Sequence, residues 1–243
     1  MKNTISIVVL GLCLLQATAA HSQNAESNWP AKPVTIDGKP TEWPDFFRFF
    51  LSAIKYDVYN DSTNLFVCIK SIGTDDQSRL IRGGMYIWLD IMGKKKEKAG
   101  LGFPVKMDYI PDDTGQFREA VRTVQNSIKV NGFTEGPAET VPLQNKYGIE
   151  AAYSWDSRNI LYIEYKIPLA VLYHHPITSA DLQHPIALGL TIGSVPSQGE
   201  VQYEQRSELA TKTKGLPMKV TDPKDMAQSA WLKLNLAKGP STR

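Results

Sequence analysis

Residues 53–72, AIKYDVYNDSTNLFVCIKSI, limit what this chain can become more than any other stretch. Ile54, Tyr56 and Val58 alternate with Lys55, Asp57 and Tyr59, which is the two-residue period of a strand. Residues 60–64 are short polar side chains that bond nearby backbone and tolerate unusual φ, so they predict a tight turn. Residues 65–72 are rich in β-branched and aromatic side chains that fit a pleated, half-buried surface. An isolated hairpin is marginal in water, and the rest of the chain reads as further strands stacked onto this one.

Residues 84–92, GMYIWLDIM, put Met85, Ile87, Leu89 and Ile91 on one face and Tyr86, Trp88 and Asp90 on the other. A charged tip over 93–98 leads into a returning strand over 101–110, where Pro104 points to an edge or a bulge. Residues 147–155 and 160–167 form a second hairpin, followed by one helical turn over 169–173. Two more strands read over 186–195 and 231–236, and a short first strand over 34–36. Phe46, Phe47, Phe49 and Phe50 read as core packing or a plug over one end of a sheet.

The period changes clearly in one place. Phe117, Ala120, Val121 and Val124 recur at helical spacing and predict an amphipathic helix within 114–127, capped by Asp112 or Asp113. Residues 73–78 and 132–142 read as polar connections, and 197–229 as a long polar loop. About nine strands joined by hairpin turns predict an all-β fold, an antiparallel β-sandwich with one or two short helices.

The chain opens with Lys2, an apolar stretch over 5–15 too short to span a bilayer comfortably, and small residues over 17–20. This predicts a signal peptide over 1–22 and a single domain over 23–243, secreted or periplasmic, with no membrane span after cleavage; an uncleaved anchor is the alternative. Cys68 is then the one remaining cysteine, so the fold relies on an ordinary core rather than a disulfide. Placed mid-strand, it reads as a small buried apolar residue. A net charge of +2 makes no electrostatic case for nucleic acid or an anionic membrane. GxSxG, HExxH and CxxC patterns are absent, and no catalytic constellation stands out, so the chain reads as a non-enzyme.

Four ordered pieces resemble the carbohydrate-binding family 9-like group within the wider DOMON-like β-sandwich superfamily. They are Ile36-Asp37-Gly38 followed by Glu42-Trp43, the hairpin over 56–72, YIEYKIPLAVL over 162–172, and the strand opening at Ala230-Trp231. Residues 84–104 look like a subgroup of secreted bacterial proteins in the same group. The resemblance implies a β-sandwich that binds a carbohydrate, with two Trp rings sandwiching a terminal sugar. This chain departs from that pattern. The connection over 71–83 holds no aromatic residue, Tyr86 stands where an acidic residue is often found, and Trp155 matches the second Trp only loosely.

Trp88, Tyr86, Tyr153 and Trp155 are the candidate ligand-binding residues, read as an aromatic platform that stacks on sugar faces; ordinary sandwich core and rim is the competing reading. The tip over 94–98 reads as a solvated turn, or as a site for an acidic glycan. Asp57, Asp61, Asp75 and Asp76 are oxygen ligands of the kind a structural calcium uses, with turn capping as the simpler role. No cofactor is otherwise expected. Two alternatives come from other classes. His174, His175 or His184 with Met85, Met92 or Met107 would serve a haem-binding, DOMON-like redox domain. An extracytoplasmic structural or protein-interaction module would need no small ligand.

Overall fold

Strand alternation resolves into two packed sheets in the computed structural model, which describes residues 25–43, 48–51, 53–107, 114–133, 139–195 and 226–240. The expected signal peptide, Phe46, Phe47, Asp112, Asp113 and most of the polar loop lie outside these residues. The first hairpin is β3 (Ile54–Asn60) and β4 (Asn64–Ser71), as its alternation predicts. Asp61 shapes its turn by accepting from the amides of Thr63 at 2.7 Å and Asn64 at 2.6 Å. β9 (Glu150–Trp155) and β10 (Leu161–Pro168) repeat the device, with Asp156 accepting from the amides of Arg158 and Ile160. With β2 (Arg48–Leu51) these strands make an antiparallel five-stranded sheet in the order β2-β3-β4-β10-β9.

The second sheet has seven strands, in the order β1-β12-β11-β5-β6-β7-β8. They are β1 (Ala25–Glu26), β5 (Met85–Asp90), β6 (Ala99–Gly102), β7 (Ser127–Asn131), β8 (Glu139–Pro142), β11 (Ile186–Ile192) and β12 (Gln228–Asn235). All neighbours are antiparallel except β1 with β12. Met85, Ile87 and Leu89 share one buried cluster with Ile54, Val67, Ile163 and Ile167 of the other sheet.

The expected β-sandwich is thus what forms, with three short α-helices among the described residues: α1 (Thr74–Gly83), α2 (Thr114–Val124) and α3 (Leu169–Tyr173). Local readings differ in several places. α1 stands where the sequence reads as a polar connection, because its buried stripe begins with polar residues. Gln77 sits beside Leu80 and Ile81, with its Nε2 donating to the Ser71 and Asn159 carbonyls. The described residues hold twelve strands. β8 reads as loop in the sequence because it is short and ends in proline. Of the returning strand expected over 101–110, residues 101 and 102 pair within β6, and 108–110 lie outside the described residues. Phe49 is 74% exposed and plugs nothing, whereas Phe50 packs against the core.

Residues 34–36 are extended but join no ladder. They belong to a strap that crosses the outer face of the five-stranded sheet, so β3 and β4 are buried on both faces. Val34, Ile36 and Trp43 pack there on Tyr59, Phe66, Cys68 and Tyr162. Glu164, fully buried, fastens the strap. Its Oε2 accepts from the amides of Gly38 at 2.7 Å and Asp37 at 3.1 Å, and its Oε1 from Trp43 Nε1 at 2.7 Å. Gly38 is required: its φ is +78°, and an added Cβ would meet the Tyr153 backbone carbonyl carbon.

The strap also ties the sheets together at its start. Ser27 N donates to the Asn235 carbonyl, and Asn28 N to the Val58 carbonyl, each at 3.0 Å. Ser27, Asn60 and Ala237 then close a hydrogen-bonded knot.

Burial pushes the Glu164 carboxyl up to about 7, against the opposing pull of its three donors. Asp57, beside Cys68 in the same cross-sheet row as Glu164, is shifted upward too, also by burial. A carboxyl with a higher pKa folded than unfolded holds its proton more tightly in the folded state. The contribution of Glu164 to unfolding free energy is therefore expected to be greatest below the ordinary glutamate value of 4.5 and to fall as pH rises through about 7. Denaturant midpoints measured across that window check this, and Glu164→Gln should flatten the decline. A midpoint that climbs over the same range would contradict it.

Candidate functional site

The outer face of the seven-stranded sheet carries an aromatic floor. Alternation aims Tyr86 and Trp88 away from the core, and Trp231 on β12 shares that face. Register sets them in rows. Trp231, Gly189, Trp88 and Gly100 are successive cross-strand partners; Ser229, Thr191, Tyr86 and Gly102 form the row beside them. The Tyr86 and Trp88 rings lie nearly parallel, 10° apart in plane, with centroids 6.0 Å apart.

Glycines let these rings lie down. A Cβ on Gly100 would sit 2.3 Å from Trp88 Cε3, one on Gly102 2.7 Å from Tyr86 Cε1, and one on Gly189 2.8 Å from Trp231 Cε2. Each ring therefore rests on the backbone of a neighbouring strand, and all three lean in one direction across the sheet. Trp88 and Trp231 stand two strands apart, roughly 9–10 Å at ordinary strand spacing. The three side chains are half-buried. Trp88 Nε1 is shielded from solvent yet meets no acceptor among the described residues, and an N–H left so costs about 1–3 kcal/mol. Polar groups border the floor: Thr191 and Ser229 hydroxyls 2.8 Å apart, Asn131 beyond Gly100, and Lys129 beyond Gly102.

Tyr153 and Trp155 are elsewhere. They lie on β9 and face inward, level with Ile163 and Leu161 of β10. Trp155 Nε1 donates to Gln77 Oε1 at 2.8 Å, and the Arg118 guanidinium lies 5.2 Å from its ring centroid. Tyr153 meets Trp155 edge-on at 5.6 Å and Phe103 at 5.8 Å. Burial raises the Tyr153 hydroxyl above its ordinary range, with Arg122 opposing. The expected four-ring platform thus becomes two separate pairs on different sheets. Tyr86 and Trp88 form one with Trp231 added; Tyr153 and Trp155 join β9 to α1 and α2.

No family model matches the chain, and no curated protein is significantly similar to it. Among solved structures it is similar to a carbohydrate binding module family 9 from Caldicellulosiruptor kristjanssonii in complex with glucose. That similarity has a TM-score of 0.42 at 10% identity, covering 91% of this chain and 99% of that one. A second such structure, from the same organism in complex with cellotriose, gives 0.39 at 11% identity, over 91% and 98% of the two chains. At these levels the likeness says nothing about what this chain binds.

Sequence reasoning misses Trp231 as a site residue. The available signal is the alternation of Ser229, Trp231 and Lys233 against Leu232 and Leu234. The glycines beneath the rings belong to other strands and need the register.

The remaining candidates are dispersed into structural roles. Met85 is buried in the core, whereas His174, His175 and His184 are exposed. Asp61 caps a turn, and Asp76 accepts from the Ala53 amide at 3.2 Å. Among the described residues no three His, Cys, Asp or Glu side chains gather as a metal site requires. Burial pushes the Cys68 thiol well above its ordinary value. Among the described residues no helix is long and apolar enough to cross a membrane.

Proposed function

We propose that this chain is an exported, non-catalytic β-sandwich that binds carbohydrate, holding a glycan against Tyr86, Trp88 and Trp231. One observation carries the reading: three rings laid flat on glycine backbone along a sheet face that also bears Thr191, Ser229, Asn131 and Lys129. A sugar ring presents an apolar C–H face and a rim of hydroxyls. A flat aromatic surface covers the first, and bordering groups such as Thr191, Ser229 and Asn131 bond the second. A flat sheet face suits an extended polymer better than a small molecule, which needs a concave pocket.

Calorimetric titration of the mature chain with glycans chosen from an array tests this. Trp231→Ala and Trp88→Ala are each expected to weaken binding about tenfold or more. Trp155→Phe, in the inward pair, should leave affinity unchanged. Binding indifferent to both floor tryptophans, or absent against a broad array, would remove the proposal.

A further inference from the structure

We propose that the polymer held by this floor is acidic, with carboxylate or sulfate groups that meet lysines at its ends; this rests on the carbohydrate-binding reading above. β5 runs from Tyr86 through Trp88 to Asp90, and the chain then turns through Lys94, Lys95, Lys96 and Lys98. Asp90 is 1% exposed, and backbone occupies its carboxylate. Its Oδ1 accepts from the Met92 amide at 3.0 Å, and its Oδ2 from the amides of Lys94 and Lys96 at 3.1 Å each. The acid that shapes the turn thus spends its hydrogen bonds on amides rather than on ammonium groups.

The four turn lysines are exposed, and no ion pair among the described residues involves any of them. Glu97, also exposed, is the single acid interspersed with them, so the tip keeps a surplus of positive charge. Lys233 adds a fifth cation to the same end. It shares a cross-strand row with Ala187 and Asp90, and lies two residues along β12 from Trp231 on the same face. That separation is about 7 Å. At the other end Lys129 occupies the row of Tyr86 and Gly102. On the outer face of the strands from β12 to β8, Asp90 is the one carboxylate, and it is buried; on the edge strand β1 the exposed Glu26 stands beside Asn235, two residues beyond Lys233. A chain stacked on the floor would run between cationic ends.

The cations are all lysines. Neither this turn nor the outer face between β12 and β8 contains the planar fork of arginine that holds phosphate or carboxylate bidentately, so each contact is with a single ammonium charge. A net charge of +2 also gives no long-range field suited to a polyphosphate. Point-like ammonium groups beside a stacking surface fit a polymer with intermittent single charges. The weak overall charge thus favours an acidic polysaccharide over nucleic acid.

The test titrates the mature chain with polygalacturonate, chondroitin sulfate, cellohexaose, duplex DNA and phosphatidylserine vesicles. Acidic polysaccharide is expected to bind about tenfold more tightly than cellohexaose, and to weaken as salt rises from about 0.05 to about 0.5 M. The triple variant Lys94→Ala, Lys96→Ala, Lys233→Ala should lose about that tenfold and most of the salt dependence, while leaving any cellohexaose affinity unchanged. These lysines are away from the core, and the unchanged neutral binding reports an intact fold. The ratio between polygalacturonate and chondroitin sulfate separates carboxylate from sulfate preference.

Equal binding of neutral and acidic polymers, or indifference to the triple variant, would overturn the acidic assignment and leave carbohydrate binding standing. No binding to any glycan would overturn both. Binding to DNA or vesicles as tight as to polygalacturonate, and unaffected by Trp231→Ala, would overturn the assignment in favour of a generic basic patch.

Discussion

Glu164→Ala is expected to lower unfolding free energy by about 3–5 kcal/mol, the cost of leaving several buried donors without their shared acceptor. Three donors lose their acceptor at once: the Asp37 and Gly38 amides and the Trp43 indole. A buried donor left unsatisfied costs about 1–3 kcal/mol, and a loosened strap recovers part of that by admitting water. Urea unfolding measures the loss. Hydrogen exchange locates it: the amides of residues 37 and 38 should lose protection while those of β5 and β11 keep theirs. Glu164→Gln keeps the size but turns an NH2 toward a site that needs acceptors, so it should fall between wild type and the alanine variant. An alanine variant as stable as wild type would show that the strap is held by Val34, Ile36 and Trp43 packing alone.

The second large effect is expected at a contact between two glycines. A Cβ on Gly83, at the end of α1, would lie 2.3 Å from the Gly193 carbonyl oxygen; one on Gly193 would lie 2.1 Å from that of Gly83. Neither glycine has positive φ, so the backbone conformation itself admits alanine. In a helix alanine is favoured over glycine by up to about 1 kcal/mol. Propensity thus predicts stabilisation and packing predicts the opposite. Packing should win, because the obstacle is backbone on both sides: each single alanine variant is expected to lose about 2–3 kcal/mol. The double variant should lose less than the sum, because the first methyl already forces the segments apart. Additive losses, or a stabilised Gly83→Ala, would contradict this.

Legibility in the sequence tracks how local the physics is. The hairpins β3–β4 and β9–β10 can be read because alternation and an aspartate turn lie within a few residues. The inward and outward faces of β5 follow from the same period. α1 cannot be read, since the partners that make Gln77 a core residue, Trp155 and the Asn159 carbonyl, are about eighty positions away. Two of the pieces that resemble family 9-like modules meet in the fold. Glu164 of one accepts from Asp37, Gly38 and Trp43 of another, which fastens the strap. The candidate floor is half legible. Tyr86 and Trp88 stand out as aromatic residues on a strand's polar face. Reasoning by residue type alone also admits Tyr153 and Trp155, whose inward direction only register reveals.

The knot at Ser27 has a temporal consequence. Ser27 and Asn235 are 208 positions apart, so β1 meets β12 only after about two hundred further residues have emerged. Contacts of such separation are the slow ones in folding. Until β12 arrives, β1 lacks the one ladder partner it has among the described residues, and an unpaired strand edge is the kind of surface that chaperones hold and neighbouring chains invade. Pairing of β1 with β12 closes that edge last, when the two ends of the described fold meet.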